Sequence, residues 1–252
     1  MNLPNAITVG RIAATPLIAA LPFFDSWELR LLAFALYLAA AITDYYDGML
    51  ARTRGLVTDL GKQLDPLADK LLLVGTLVPM YLLQRLPASD AARRALEVAR
   101  ELPGPATGAA GAAGAALVDL GRLPFVTPLA LVPLPLWVLL VVLGRELFMT
   151  IFRQLAARRG VVIAAIGPAK WKTALQSVWV GTAYFWLFNA SLAARHGLWD
   201  TTPWRVFAQF NGVVGLLTMA GAVVLTLYSL GLYLRRFGGL LVGGRHATRS
   251  GS

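Results

Sequence analysis

The chain has no cysteine among its 252 residues. That excludes a disulfide-stapled scaffold, a zinc–thiolate site and thiol catalysis. It has two histidines, His196 and His246, too few for a multi-histidine metal centre. Charge is scarce as well. Only 14% of the residues are Asp, Glu, Lys or Arg, where a soluble domain carries about 25%. A globule of this size cannot coat itself with so few charges. Disorder is excluded from the other side, because 57% of the residues are hydrophobic and mean hydropathy is +0.64. What is left is a polytopic membrane protein. In that setting the net charge of +10 is read against topology, and no nucleic-acid partner is expected.

A bilayer-spanning helix needs about 20 mostly apolar residues. Six stretches qualify: Val9 to Phe24, Leu29 to Ala51, Leu64 to Leu83, Phe125 to Phe152, Thr173 to Ala194 and Val206 to Leu234. The fourth is broken by Pro128, Pro133 and Pro135. The expected fold is therefore an all-α integral membrane protein, six transmembrane helices behind a short N-terminal interfacial segment, Met1 to Ala6. No run has the short apolar core and small-residue cleavage site of a signal peptide. With the N-terminus inside, fifteen of the 23 Lys and Arg residues fall on the inner side and eight on the outer. This bias puts both termini in the cytoplasm.

One six-helix domain over 1–237 is expected, with a basic, Gly-rich tail over 238–252. Between the third and fourth spans lies a long external loop, 87–123. It carries a low-complexity stretch rich in Gly and Ala from Pro103 to Ala116 and a short candidate surface helix from Asp90 to Glu101. Each Gly weakens a helix by about 1 kcal/mol relative to Ala, so the run reads as loop.

Of the thirteen Asp and Glu residues, four abut two of the spans: Asp44, Asp47, Asp65 and Asp69. A charge at the centre of a spanning helix costs about 2.5–3.5 kcal/mol, so four together cost on the order of 10 kcal/mol. They must lie near the interface, line a wet cavity or share cations. Asp44, Asp47, Gly48 and Ala51 stand at i, i+3, i+4 and i+7, one helix face. Gly61, Asp65 and Asp69 stand at i, i+4 and i+8, again one face. The two helices are joined by a short turn and run antiparallel, so the two faces can meet. Four carboxylates from facing helices suit a hard divalent cation, magnesium or manganese. The small residues Gly48, Ala51 and Gly61 leave room for a ligand against the backbone. The plainer alternative is a set of interfacial carboxylates paired with Arg52, Arg54, Lys62 and Lys70.

The run Asp44-Tyr45-Tyr46-Asp47-Gly48-Met49-Leu50-Ala51-Arg52, followed at fixed spacing by Gly61, Asp65 and Asp69, resembles the signature of the CDP-alcohol phosphatidyltransferases. The resemblance implies a six-helix membrane enzyme, usually a homodimer. Such enzymes move a phosphatidyl group from CDP-diacylglycerol to an alcohol and release CMP. It implies that Asp44, Asp47, Asp65 and Asp69 bind Mg or Mn, and that Asp69 is also the general base. It assigns Gly48, Ala51, Arg52 and Gly61 to the CDP-lipid. The chemistry is coherent with these residue types: metals spread the charge of a diphosphate, and a hydroxyl nucleophile needs a carboxylate to accept its proton. Together with the charge bias, the resemblance implies a multi-pass protein of the cell inner (cytoplasmic) membrane, with its site on the cytoplasmic face.

Further stretches resemble the branch of that family whose acceptor is glycerol 3-phosphate. They are the start Met1 to Arg11, Gly144-Arg145-Glu146 with Arg153, Lys170-Trp171-Lys172-Thr173 with Gln176, and Thr226 to Ser229 with Tyr233. In the third, Pro168-Ala169 stands where the family usually has Gly before the first lysine. Arg145, Arg153 and Lys170 are assigned to the acceptor phosphate, since Arg binds phosphate bidentately. Glu146 reads as a structural partner of Arg145. Inositol phosphate, serine or phosphatidylglycerol remain alternative acceptors within the family. A membrane prenyltransferase would carry a second acidic motif after Asp69, and none follows. A cation transporter would carry acidic residues at the midplane, and the fifth and sixth spans have none.

Overall fold

The computed structural model describes residues 3–54, 59–86, 125–126, 131–161, 167–198 and 201–237. Within them six long helices follow one another: α1 (Leu3–Ala20), α2 (Trp27–Arg54), α3 (Asp59–Leu83), α4 (Leu136–Arg158), α5 (Gly167–His196) and α6 (Thr202–Phe237). A 3-10 turn, Leu21–Phe23, follows α1. Two dipeptides, β1 (Phe125–Val126) and β2 (Leu131–Val132), pair antiparallel with Phe125 opposite Val132. The loop over 87–123 and the tail over 238–252 lie outside the described residues, as does the candidate helix Asp90 to Glu101.

Among the described residues three stretches are long and apolar enough to cross a membrane: Asn5–Phe23, Leu64–Leu83 and Thr202–Arg236. At 28, 23 and 30 residues α2, α4 and α5 also exceed a bilayer's thickness. Their apolar runs are interrupted by charges, among them Asp44 on α2, Arg145 and Glu146 on α4 and Lys172 on α5. The outward faces are apolar. Leu140, Leu147, Phe210, Leu217 and Val224 are all more than three-fifths exposed, a surface suited to lipid and not to water.

Two elements differ from the expectation. The sequence places its first six residues on the surface ahead of the first span. Instead α1 begins at Leu3, and Asn5 and Thr8 are buried. Thr8 donates to Asp65 inside the protein, so this polar start is taken into the bundle as helix. The fourth helix starts at Leu136 and not Phe125. Pro133 and Pro135 lack the N–H a helix interior needs, and Pro135 takes an extended conformation, φ −71° and ψ 144°, as the residue that caps α4. The side chain of Gln84, just past α3, pairs with both backbone groups of the intervening Leu134. Its amide nitrogen donates to the carbonyl at 2.7 Å and its oxygen accepts from the N–H at 2.8 Å. That clamp fixes the entry of α4 against the end of α3.

The core draws on all six helices: Ile18, Tyr37, Leu77, Val142, Trp179, Tyr184 and Met219 belong to one buried cluster. α5 lies along both α2 and α6, and α1 lies along both α2 and α3. In lipid there is no hydrophobic drive between apolar helices, so close packing and polar links hold them. Gly75 is one such contact: a Cβ there would meet Thr15 Cγ2 at 2.6 Å. Hydroxyl links are another. Tyr37 donates to the Ser177 carbonyl at 2.8 Å and Tyr184 to that of Ile18 at 3.1 Å. At one end of the bundle buried Arg30 reaches Asp25 at 2.9 Å, the Pro22 carbonyl at 3.2 Å and Ser191. It ties the start of α2 to α5.

Candidate active site

A single face of α1 carries polar residues at successive turns: Asn5, Thr8, Arg11 and Thr15, all buried. Their spacing of three, three and four residues keeps them on one side of an otherwise apolar helix. That side meets the acidic faces of α2 and α3. Arg11 Nη1 binds Asp44 Oδ1 on α2 and reaches Asp69 Oδ1 on α3 at 3.3 Å. Thr8 Oγ1 donates to Asp65 Oδ1 at 2.9 Å. The carboxylates of Asp44 and Asp69 also face one another. Asp44 of α2 and Asp65 and Asp69 of α3 thus come together at one end of the bundle, with Arg11 and Thr8 of α1 reaching in among them. The Arg11 side chain is 2% exposed, whereas those of Asp44 and Asp69 are 44% and 60% exposed. A buried guanidinium therefore holds two carboxylates that open to a cleft.

The cleft has a volume of about 140 Å³. One wall carries Asp44 and Asp69 from α2 and α3. The other carries Lys172, Thr173 and Gln176 from α5, and Tyr37, Leu72 and Val180 also line it. Acidic and basic groups thus share one small space. Lys172 and Gln176 are themselves buried residues of α5.

Behind Lys172 runs a chain of polar contacts. Glu146 Oε1 accepts from Lys172 Nζ and from Arg145 Nη1, the latter at 2.8 Å. Arg145 Nη2 donates to Ser229 Oγ on α6 at 3.2 Å, and Ser229 donates to the Thr226 carbonyl at 3.0 Å. Two turns further along α4, Arg153 Nη2 donates to Tyr233 Oη at 3.4 Å, with its guanidinium 5.8 Å from the ring centroid. Four of the stretches singled out in the sequence, on α1, α4, α5 and α6, thus supply the polar contacts of this end of the bundle.

Gly61 is buried in the first turn of α3. The side chains of Asp47, Gly48, Ala51, Arg52 and Lys170 lie outside the described part of the structure. Among the described residues no three His, Asp or Glu side chains form a ready cation cage. A magnesium ion does not require one, because it is held by one or two carboxylates together with substrate phosphates. Asp44 and Asp69 supply such a pair of hard oxygen donors. The Arg11 guanidinium between them shows that a cation is accommodated at that point. The residues present fit a divalent ion.

Sequence reasoning missed Arg11 and Thr8 as members of this site: both lie in the stretch Met1 to Arg11 singled out for its resemblance, but neither was given a role there. The available signal was the polar face of α1. It also left Lys172 out of the site, though Lys172 and not Arg145 lines the cleft.

The family model for CDP-alcohol phosphatidyltransferase matches residues 1–102 and 107–228. Among curated proteins, CDP-diacylglycerol–glycerol-3-phosphate 3-phosphatidyltransferase 1, chloroplastic/mitochondrial, of Arabidopsis thaliana is 31% identical over 240 residues, which cover 94% of this chain and 62% of that protein. CDP-diacylglycerol–glycerol-3-phosphate 3-phosphatidyltransferase of Rickettsia bellii is 49% identical over 81 residues, 32% of this chain and 44% of that protein. A cardiolipin synthase (CMP-forming) of Oryza sativa is 27% identical over 250 residues, 96% of this chain and 59% of that protein. The chain thus spans less than two thirds of the length of these relatives.

Proposed function

The chain belongs to the CDP-alcohol phosphatidyltransferase family, and on that premise we propose that it transfers the phosphatidyl group of CDP-diacylglycerol to glycerol 3-phosphate, giving phosphatidylglycerophosphate and CMP. The observation that carries this reading is the cleft with Asp44 and Asp69 on one wall and Lys172 on the other. A reaction between two anions needs both a carboxylate to take a proton and a cation to offset repulsion.

In this reading the acceptor hydroxyl approaches the phosphorus that bears the diacylglycerol. The new P–O bond forms as the bond to the bridging diphosphate oxygen breaks, and CMP leaves with that electron pair. Asp69 takes the hydroxyl proton, within the half-exposed cleft where water can later carry it off. Asp44, Asp47, Asp65 and Asp69 would hold one or two Mg or Mn ions, which when bound offset the charge of the diphosphate. Arg11 keeps Asp44 and Asp69 aimed at the same point. Gly48, Ala51, Arg52 and Gly61 form the wall for the CDP-lipid. Lys172 with Arg145, Arg153 and Lys170 offsets the acceptor phosphate, since hydrogen bonds to charged groups contribute about 1.5–3 kcal/mol each.

All six helices cross the bilayer in this reading, with both termini and the cleft on the cytoplasmic side of the cell inner membrane, and the enzyme acts as a homodimer. The relatives named for glycerol 3-phosphate support that acceptor over phosphatidylglycerol. The test is CMP release from CDP-diacylglycerol in detergent, with glycerol 3-phosphate, inositol phosphate, serine and phosphatidylglycerol offered in turn. Faster release with any of the other three than with glycerol 3-phosphate would overturn the acceptor assignment.

A further inference from the structure

The cleft poses an electrostatic problem that its catalytic reading does not address. Lys172 shares a space of about 140 Å³ with Asp44 and Asp69. A lysine is a point charge on a flexible four-carbon stem with three rotatable donors. The carboxylates of Asp44 and Asp69 line the same cleft, so a flexible ammonium has two acidic groups to choose between, theirs and that of Glu146. The structure shows it turned the other way, onto Glu146. Glu146 holds it with the same oxygen that accepts from Arg145, and Arg145 is itself anchored to Ser229 on α6. The side chains of Arg145 and Lys172 are each 6% exposed and that of Glu146 23%, so little solvent screens the triad. Two cations on one carboxylate leave a net positive charge behind the cleft wall, available to an incoming anion. The acidic wall stays uncommitted to Lys172.

We infer that Glu146 is a positioning residue that keeps the cleft's own cation off its metal-binding carboxylates, so that Lys172 and a divalent ion do not compete for Asp44 and Asp69. The inference rests on the proposed metal site but not on which alcohol is the acceptor. Glu146 touches neither the acidic wall nor any reacting group. It acts through Lys172, and that dependence is what a test can isolate.

The experiment is Mn²⁺ binding to the full chain in detergent without substrates, followed by the loss of the free-ion electron paramagnetic resonance signal. Glu146→Gln keeps the side-chain shape and removes the charge. Its expected effect is an apparent Kd about tenfold weaker, the factor that corresponds to one charge-assisted contact of Lys172 with the acidic wall that a metal must displace. In a Lys172→Gln background the same substitution should change Kd by less than about twofold, because no cation is left to restrain. An equal loss in both backgrounds would mean that Glu146 merely supports the fold, and no loss in either would mean that Lys172 never competes. Each overturns the inference. Should Glu146→Gln fail to fold, Glu146→Asp carries the test. Its carboxylate is one methylene shorter, so a loss of about threefold that again vanishes without Lys172 is expected, and an unchanged Kd overturns it. A parent chain that binds no Mn²⁺ brings down the metal reading and this inference with it. A parent that binds, with variants that do not differ from it, brings down this inference alone.

Discussion

Removal of the Arg11 side chain probes the organisation of the site most directly. Arg11 is buried, and its one nitrogen Nη1 serves both Asp44 and Asp69. A hydrogen bond between charged groups contributes about 1.5–3 kcal/mol. Both carboxylates are about half exposed, so water screens them and the lower bound applies to each. Two such bonds then amount to about 3 kcal/mol, and each 1.4 kcal/mol is a factor of ten. Arg11→Ala should therefore lower kcat/KM by about a hundredfold, because Asp44 and Asp69 lose the group that aims them and face each other across a space without a fixed cation. Arg11→Lys retains the charge and enough donors for both partners, but its shorter-headed, flexible stem is not held at that point as a planar guanidinium is, so it should recover about half of the loss on a logarithmic scale. The assay is CMP release with CDP-diacylglycerol and glycerol 3-phosphate in detergent, on protein whose elution and thermal unfolding match the parent. An Arg11→Ala enzyme that is folded and within about threefold of the parent would refute the reasoning, since it would show that the carboxylates are oriented without α1.

Chelation should abolish activity, and Mg or Mn should restore it. Asp69→Asn should lower turnover by about a hundredfold or more, the range general-base removal commonly produces, and Asp44→Asn should lower turnover together with metal affinity; near-normal rates in both folded variants would disprove the shared site. Gly75→Val should lower the unfolding temperature in detergent, since its Cβ would meet Thr15 Cγ2 at 2.6 Å and overpacking costs about 1–3 kcal/mol. Gly144→Ala, with nothing within 4 Å, should be neutral or stabilising for the same fold, and a reversed order of the two would contradict the α1–α3 packing. Arg153→Ala should raise the acceptor KM about tenfold, the loss of one charge-assisted contact, and leave that for CDP-diacylglycerol unchanged; equal changes in both would remove Arg153 from the acceptor site.

Much of this protein is legible along the chain because a helix writes its faces into sequence at a fixed period. The apolar runs mark six long helices, and the prolines before Leu136 mark where the fourth is interrupted. The spacing of Asp44 and Asp47, and of Gly61, Asp65 and Asp69, places each set on one face by the helical period alone. Which helix lies beside which is another matter. Apolar faces that all suit lipid carry no address, so neighbours are chosen by shape and by rare polar contacts. Nothing local to Arg11 says that it reaches residues 33 and 58 positions away, and nothing local to Glu146 says that it takes Lys172 from across the α4–α5 boundary. The acidic motif was determined by the sequence alone. That α1 holds it together, and that Lys172 faces it across one cleft while turned onto Glu146, only the packing of the helices could decide, because a side chain's partner depends on the distance between helix axes and not on the period within one helix.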